Sequence, residues 1–472
     1  MKRPKRTVER AAAFLLLLLT ACSVGRRDVP AIAGLPESFG DGGTKPLPGR
    51  WWTAFGDGAL DAAIEEGLAG SPDLAAWRDR LDQARALARK GGAGLRPALN
   101  ASGDASRSAS WPEEGPDIYE NDYALGAAAS YEIDLWGRLR AGRRSALLSS
   151  RAAGEDLRAA ELSLSASIAS VWYETAEAAA QVRLLEEQVG TNERMLDLVR
   201  LRFRSGLTGA SDVLTQRRVT EAVRGDLHLA EARLATLRHQ LAVLVGRTPR
   251  ERIGTEAVLI DLPALPETGL PADLLRRRPD LRAARLDVAA ANAEFAAALA
   301  DRFPKISLSA SGSTGGAQTS VLFGDWFGRL AANLALPLLD GGARSAEADR
   351  REAAAREAFH AYESAVLAAL REVEDALARE ARQGEYLESV RLQLETADAL
   401  VERSRDDYLS GQADYLRVLE ALTSQQALQR SSLTARRAWI QYRIQLCRAL
   451  GGGWNPEAID GGANLYEERM ES

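Results

Sequence analysis

Two pairs of segments along the chain alternate small or apolar residues with polar ones at a period of two, which predicts β-strands. The first pair covers residues 99–105 and 123–133, and the second covers residues 306–310 and 326–338. Because side chains two positions apart share a face of a strand, each predicted strand has one apolar face and one polar face. The predicted apolar face, which would contact lipid if the strands span a membrane, carries Leu125, Leu308, Leu330 and Leu334. The opposite face, which would contact water, carries Asn100, Ser307, Ser309 and Asn333.

After each strand pair comes a long stretch without a proline, at 137–204 and 342–409. At 1.5 Å per residue, each stretch predicts one helix of about 100 Å. The first has an apolar seam at steps of three and four, as in coiled coils, which includes the polar residues Thr175 and Asn192. Ser205-Gly206 and Ser410-Gly411 then interrupt the pattern, and a further helix of about 40 residues follows each break. Each stretch therefore predicts a long helical hairpin.

The chain is internally duplicated. Ser71-Pro72-Asp73-Leu74 recurs as Arg278-Pro279-Asp280-Leu281 at an offset of 207, and Ser205-Gly206 recurs as Ser410-Gly411 at an offset of 205. Each copy contains a short helix, a β-hairpin and a long helical hairpin. We divide the chain into a signal peptide at 1–21, an N-terminal extended segment at 22–70, repeat 1 at 71–246, a proline-rich linker at 247–272, repeat 2 at 273–451 and a C-terminal tail at 452–472.

The N-terminus has the pattern of a bacterial export signal. Residues 1–10 carry five basic side chains, and residues 11–19 form an unbroken apolar run. The run is too short to cross a membrane, which takes roughly 20 apolar residues, so we expect it to be cleaved. Leu19-Thr20-Ala21-Cys22 resembles a lipobox, in which the cysteine thiol is acylated and becomes the new N-terminus. We therefore predict an exported protein that is lipid-anchored at Cys22.

Composition narrows the function classes. With 60 Lys and Arg against 66 Asp and Glu, the net charge of −6 gives no basic field for nucleic acid. Two cysteines and three histidines in 472 residues do not supply a disulfide framework or a Cys/His zinc cluster. We predict no nucleic-acid partner, no metal site, no cofactor and no catalytic residues, and therefore no enzyme.

Four strands cannot form a closed membrane barrel. The smallest spanning barrels have eight strands, and an open edge in lipid would leave backbone groups unpaired at a cost of several kcal/mol each. If the strands span a membrane, the chain must oligomerise. A soluble sheet with one wet face would give the same alternation, and only the export signal and lipobox favour the membrane.

Five motifs make the sequence similar to the TolC-like outer-membrane efflux channels, in the NodT-type lipoprotein branch. They are WWTAFGD at 51–57, YEIDLWGR at 131–138, RRPDL at 277–281, PLLDGG at 337–342 and ALGGGW at 449–454. The resemblance implies a mainly helical chain with a membrane β-barrel, in which three copies supply four strands each to a twelve-stranded barrel continued by a twelve-helix periplasmic α-barrel. It also implies a passive exit duct for small molecules, joined by a periplasmic adaptor (membrane fusion) protein to an inner-membrane transporter of the resistance-nodulation-division (RND) type.

The resemblance further implies a periplasmic gate near the breaks between the long and short helices. By position, Ser211 and Asp212 match the family's hydroxyl-carboxylate pair, and Tyr408 matches its bonding tyrosine. Glu420 matches an acidic constriction residue and Arg436 a possible arginine partner, whereas Ala413 stands where some relatives have a second arginine. Two other functions stay open: a type I protein-secretion duct of the same fold, and a lipid-anchored periplasmic coiled-coil scaffold or adaptor.

Overall fold

The computed structural model describes residues 28–32, 34–40, 42, 43, 45–251 and 257–453. Cys22, the predicted acylation site, lies outside the described residues, as do the predicted signal peptide and Trp454. Within the described part, the chain forms two compact units. One includes Asp79–Glu155 and Arg282–Ser364, and the other includes Asp156–Leu281 and the described residues from Ala365 onward.

The order of elements repeats once along the chain. After helix α1 (Gly58–Gly70), the first copy consists of α2 (Pro72–Ala93), β1 (Ala98–Ser110), β2 (Ile118–Ile133), α3 (Arg138–Arg204) and α4 (Ala210–Leu244). The second copy consists of α5 (Pro279–Ala300), β3 (Lys305–Gly316), β4 (Trp326–Ala335), α6 (Ala343–Leu409) and α7 (Tyr415–Ala449). A proline is the first residue of both α2 and α5, where its missing N–H has no helical partner to lose. The two helices of about 100 Å are confirmed, since α3 and α6 each have 67 residues.

The four strands form one antiparallel sheet in the order β1-β2-β3-β4. Directly paired residues of antiparallel strands have side chains on the same face. The pairs Leu125 with Thr314, Ala310 with Leu330, and Ile306 with Leu334 therefore place the four predicted lipid-facing leucines on one face, because Leu308 lies between Ile306 and Ala310. Asn100, Ser307, Ser309 and Asn333 lie on the other face. We call these the leucine face and the serine face.

The core of the unit that includes Asp156–Leu281 is built from aromatic and small side chains. Trp51, Trp172 and Tyr173 are almost fully buried together with alanines of α3, and Cys447 of α7 is part of the same cluster. The seam of α3 is confirmed by the burial of Ile168, Thr175, Asn192 and Val199, but it stops before Phe203, which is 46% exposed. No helix in the described part of the chain combines the length and apolar character needed to cross a bilayer.

Candidate functional site at the ends of the helical hairpins

The same backbone turn joins the helices of both hairpins. Gly206 follows α3 with φ +71°, and Gly411 follows α6 with φ +75°, a left-handed conformation that favours glycine. The residue after each glycine donates its N–H to a carbonyl five residues earlier: Leu207 to Arg202 at 2.9 Å, and Gln412 to Asp407 at 2.7 Å. This closing bond is typical of helix C-termini. Of the predicted gate residues, Tyr408 precedes the second turn. The others follow a turn: Ser211 and Asp212 the first, and Glu420 and Arg436 the second.

Ser211 and Asp212 lie in the first turn of α4. The Thr208 hydroxyl donates a hydrogen bond to the Asp212 carboxylate, and the Ser211 hydroxyl lies 3.5 Å from the same carboxylate. A carboxylate in the first turn of a helix also interacts favourably with the helix dipole. The predicted hydroxyl-carboxylate pair is therefore in contact, with Thr208 as a closer hydroxyl partner that the sequence did not single out.

Tyr408 lies one residue before the end of α6 and is only 3% exposed. Its ring packs in a small apolar cluster with Met195, Val199, Tyr415 and Val418. The Arg202 guanidinium of α3 stacks 4.3 Å from the centre of the ring, and its Nη1 donates to the Tyr408 carbonyl oxygen at 3.1 Å. These contacts fix both the ring and the backbone of Tyr408 against α3.

Burial raises the pKa of Tyr408, an effect that nearby Arg202 opposes and the charge of Asp212 reinforces. Thr208 lies beside the Tyr408 hydroxyl, which nevertheless makes no hydrogen bond of normal geometry among the described residues. Burial also raises the pKa of Tyr415, so both phenols are neutral at physiological pH. In the single chain, Tyr408 therefore lies in the neighbourhood of Asp212 without bonding to it.

The structure does not bring Glu420 and Arg436 into this cluster. Glu420 is exposed on the second turn of α7. Arg436 lies 16 residues further along the same helix, about 24 Å at the helical rise. It forms an ion pair at 3.0 Å with Asp261, which belongs to the segment predicted as a linker.

A buried amide network lies next to the Tyr408 cluster. The Tyr415 hydroxyl donates to Gln216 Oε1 at 2.7 Å, Gln216 Nε2 donates to Asn192 Oδ1 at 3.1 Å, and Asn192 Nδ2 donates to Gln426 Oε1 at 3.1 Å. The four side chains are at most 3% exposed and link α3, α4 and α7. Sequence reasoning missed this network, although Asn192, the one amide in the α3 seam, is the signal that could have found it.

Comparison with known proteins identifies the class. The family model described as Outer membrane efflux protein matches residues 63–247 and 270–452, one range in each copy of the duplicated chain. Since these ranges cover well over half of the chain, the protein belongs to the outer membrane efflux protein family.

Individual relatives agree with the family. The pyoverdine export outer membrane protein OpmQ of Pseudomonas aeruginosa is 34% identical over 418 residues, which cover 86% of this chain and 88% of that protein. Nodulation protein T of Rhizobium leguminosarum bv. trifolii is 28% identical over 461 residues, covering 95% of this chain and 98% of that protein. The solved outer-membrane channel OprN has a TM-score of 0.84 at 27% identity, covering 92% of this chain and 100% of that chain.

The chain is thus an outer-membrane efflux duct, and it extends into the periplasm. The predicted fold class is confirmed: a duplicated, mainly helical chain with four strands per protomer has the fold of the trimeric outer-membrane channels. The family also supports the prediction that the protein is not an enzyme. Cys447 agrees with this role, since it is buried, and burial raises the pKa of its thiol to about 12, far from a reactive thiolate at neutral pH.

Proposed function

We propose that three copies of this chain form one passive duct, with a twelve-stranded barrel in the outer membrane and a periplasmic gate at the hairpin ends. The observation that carries the proposal is the four-stranded sheet. Within the described residues, β1 and β4 each pair on one side only, which leaves two open edges. Lipid cannot satisfy those backbone groups, so β4 of one copy has to pair with β1 of the next. Native mass spectrometry in detergent should find a particle of three mature chains, and a monomer would contradict the proposal.

The leucine face contacts lipid and the serine face contacts water. Leu330 is 84% exposed in the single chain and sits among small residues on its face, so lipid contact would bury it. Leu330→Arg should destabilise insertion by roughly 2–4 kcal/mol if the residue lies near the midplane, whereas Asn333→Arg on the serine face should insert normally and alter conductance. The heat resistance of the folded barrel in detergent measures the loss of stability. Planar-bilayer recordings measure the change in conductance. Equal defects in both variants would overturn the assignment of faces.

The gate comprises Ser211, Asp212, Tyr408 and Glu420. Support comes from their place at or near the two hairpin ends, and from the exposed carboxylate of Glu420. In a trimer, three Glu420 carboxylates around one axis would attract cations. Arg436 would act in the gate only through a neighbouring copy, since within the chain it pairs with Asp261. Tyr408→Phe combined with Asp212→Ala should raise resting conductance, and Glu420→Ala should reduce block by multivalent cations. Parental behaviour in both variants would remove these residues from the gate.

The partners are a periplasmic adaptor protein and an inner-membrane RND-type transporter, and the cargo is small molecules. The name of OpmQ refers to pyoverdine export, which favours small-molecule efflux over protein secretion as the cargo class. Deleting the gene should increase intracellular accumulation of small efflux substrates and leave the secreted proteins of the medium unchanged. Loss of a secreted protein instead would support the type I secretion duct.

Cys22 carries the lipid anchor. The support is the lipobox-like Leu19-Thr20-Ala21-Cys22 after an apolar run too short to span. Mass spectrometry of the mature N-terminus should find Cys22 diacylated and N-acylated. Because the barrel attaches independently, Cys22→Ser should still reach the outer membrane in part. An unmodified Cys22 would remove the anchor without affecting the duct.

A further inference from the structure

Arg202, in the last turn of α3, contacts the last turn of α6 and so adds to the apolar cluster that joins the two hairpin ends of one chain. It lies two residues before the end of α3, and its guanidinium covers the ring of Tyr408 and bonds the Tyr408 carbonyl oxygen. The same carbonyl accepts the N–H of Gly411 at 3.2 Å, so Arg202 occupies its second lone pair. Arg202 therefore contacts both the side chain of Tyr408 and the backbone of the turn that ends α6.

The position of this guanidinium is favourable at the end of α6. The C-terminus of a helix carries a partial negative charge, and a cation near its last carbonyls is stabilised. Stacking on the ring of Tyr408 adds an attraction that strengthens as the pair is removed from water. Arg202 Nε is buried and has no hydrogen-bond partner in the described part of the chain. Arg202 as a whole is partly buried, and moving α6 away from α3 would separate its guanidinium from both the ring and the carbonyl oxygen of Tyr408.

The duplicated chain lacks the reciprocal contact. At the repeat offset of 205, Arg202 corresponds to Asp407 and Tyr408 corresponds to Phe203. Asp407 pairs with Arg403 of its own helix at 3.0 Å, and Phe203 is exposed. The Arg202 contact is therefore not a by-product of the repeated fold, since the same turn forms in the other hairpin without it.

We propose that Arg202 is a clasp that holds the α6–α7 hairpin against the α3–α4 hairpin and so keeps the resting duct closed. This inference rests on the proposed periplasmic gate and assigns its closed state to a residue outside the predicted set. Arg202 acts as a positioning residue, because it fixes Tyr408 and does not itself need to line the duct.

Recordings from purified channels in planar bilayers test the clasp. Arg202→Ala should raise the resting open probability about tenfold, which corresponds to about 1.4 kcal/mol. Arg202→Lys keeps the charge but loses the planar stack, so it should open the duct to a smaller degree. Arg204→Ala is the matched control, since Arg204 is an exposed arginine at the end of the same helix. An equal rise in Arg204→Ala would show a general charge effect and overturn the clasp.

A double-mutant cycle with Tyr408 separates the clasp from the proposed gate. Tyr408→Leu removes the ring, and the Arg202→Ala/Tyr408→Leu pair should open the duct by no more than the stronger single variant. Parental conductance in Arg202→Ala, with a rise in the Tyr408→Phe/Asp212→Ala pair, would remove the clasp and leave the gate. Parental conductance in Arg202→Ala and in the Tyr408→Phe/Asp212→Ala pair would contradict both the clasp and the proposed gate. Native mass spectrometry accompanies each recording; if Arg202→Ala does not assemble, Arg202→Lys decides by whether intact particles open more than the parent.

Discussion

The two hairpin ends have the same backbone turn but different surroundings. Gly206 and Gly411 adopt the same left-handed conformation, and the same closing hydrogen bond follows each. Yet Phe203 before the first turn is exposed, whereas Tyr408 at the equivalent position before the second turn is buried against Arg202. The turn therefore forms in both repeats, whereas the buried aromatic contact forms only at Tyr408 of the second repeat and not at Phe203 of the first.

The polar residues behind the turns differ in the same way. Asn192 and Gln216 form a buried network, whereas the residues at the repeat offset are Ala397 and Ala421, which are buried without polar side chains. After duplication, amides stand in the first hairpin where the second has alanine. An efflux duct that opens at one end needs contacts that can separate and contacts that cannot. We assign the first role to the pair of Arg202 and Tyr408, and the second to the amide network.

The largest difference between the two hairpin ends should appear on truncating the aromatic residues. Tyr408→Ala removes a buried ring and should lower the local free energy of unfolding by about 3–5 kcal/mol. Phe203→Ala removes a half-exposed ring and should stay within about 0.5 kcal/mol of the parent. Hydrogen exchange of the hairpin-end amides in detergent measures both. Equal losses of protection would contradict the asymmetry.

The amide network should give the next largest effect. Asn192→Ala removes the donor to buried Gln426 Oε1 and one of the two Asn192 acceptors of Gln216 Nε2, which should cost about 1–3 kcal/mol. Gln393→Ala on α6 is the control, because Gln393 is an exposed amide whose side chain, within the described residues, bonds Ser389 of its own helix. It should stay within about 0.5 kcal/mol, as is usual for surface positions. Chemical unfolding followed by circular dichroism compares them, and similar midpoints would show that the network adds no stability.

The start of the short helices should give the smallest effect. Asp414 caps α7 by accepting the N–H of Arg417 at 3.2 Å, whereas Gly209 at the equivalent position gives α4 no side-chain cap. Asp414→Ala should cost about 1 kcal/mol and Asp414→Gly only a few tenths. Exchange rates in the first turn of α7 report the difference. Equal costs for Ala and Gly would mean that the cap is not what stabilises this turn.

The sequence predicts the elements well because their signals are local. The absence of proline and the paired glycines define both long helices to within one residue. Strand alternation finds all four strands, but β1, β2 and β3 extend five or six residues beyond the predicted segments, where the alternation is weaker. The contacts at the hairpin ends depend on pairing between α3 and α6, which are about 200 residues apart, so no local pattern points to Arg202 as the partner of Tyr408. Family position singled out Asp212 and Tyr408 but not Thr208, whose hydroxyl donates a hydrogen bond to the Asp212 carboxylate.

Single-channel recording of Tyr408→Ala beside Phe203→Ala tests most directly whether the hairpin end of this duct is closed by contacts of the second repeat. The two variants remove aromatic rings at equivalent positions of the duplicated chain, so a general effect of truncation cancels between them. We expect a low resting conductance for the parent and Phe203→Ala. For Tyr408→Ala we expect a resting conductance raised about tenfold or more, because it loses at least about 1.4 kcal/mol of closed-state stability. Equal conductance in the two variants would contradict this expectation.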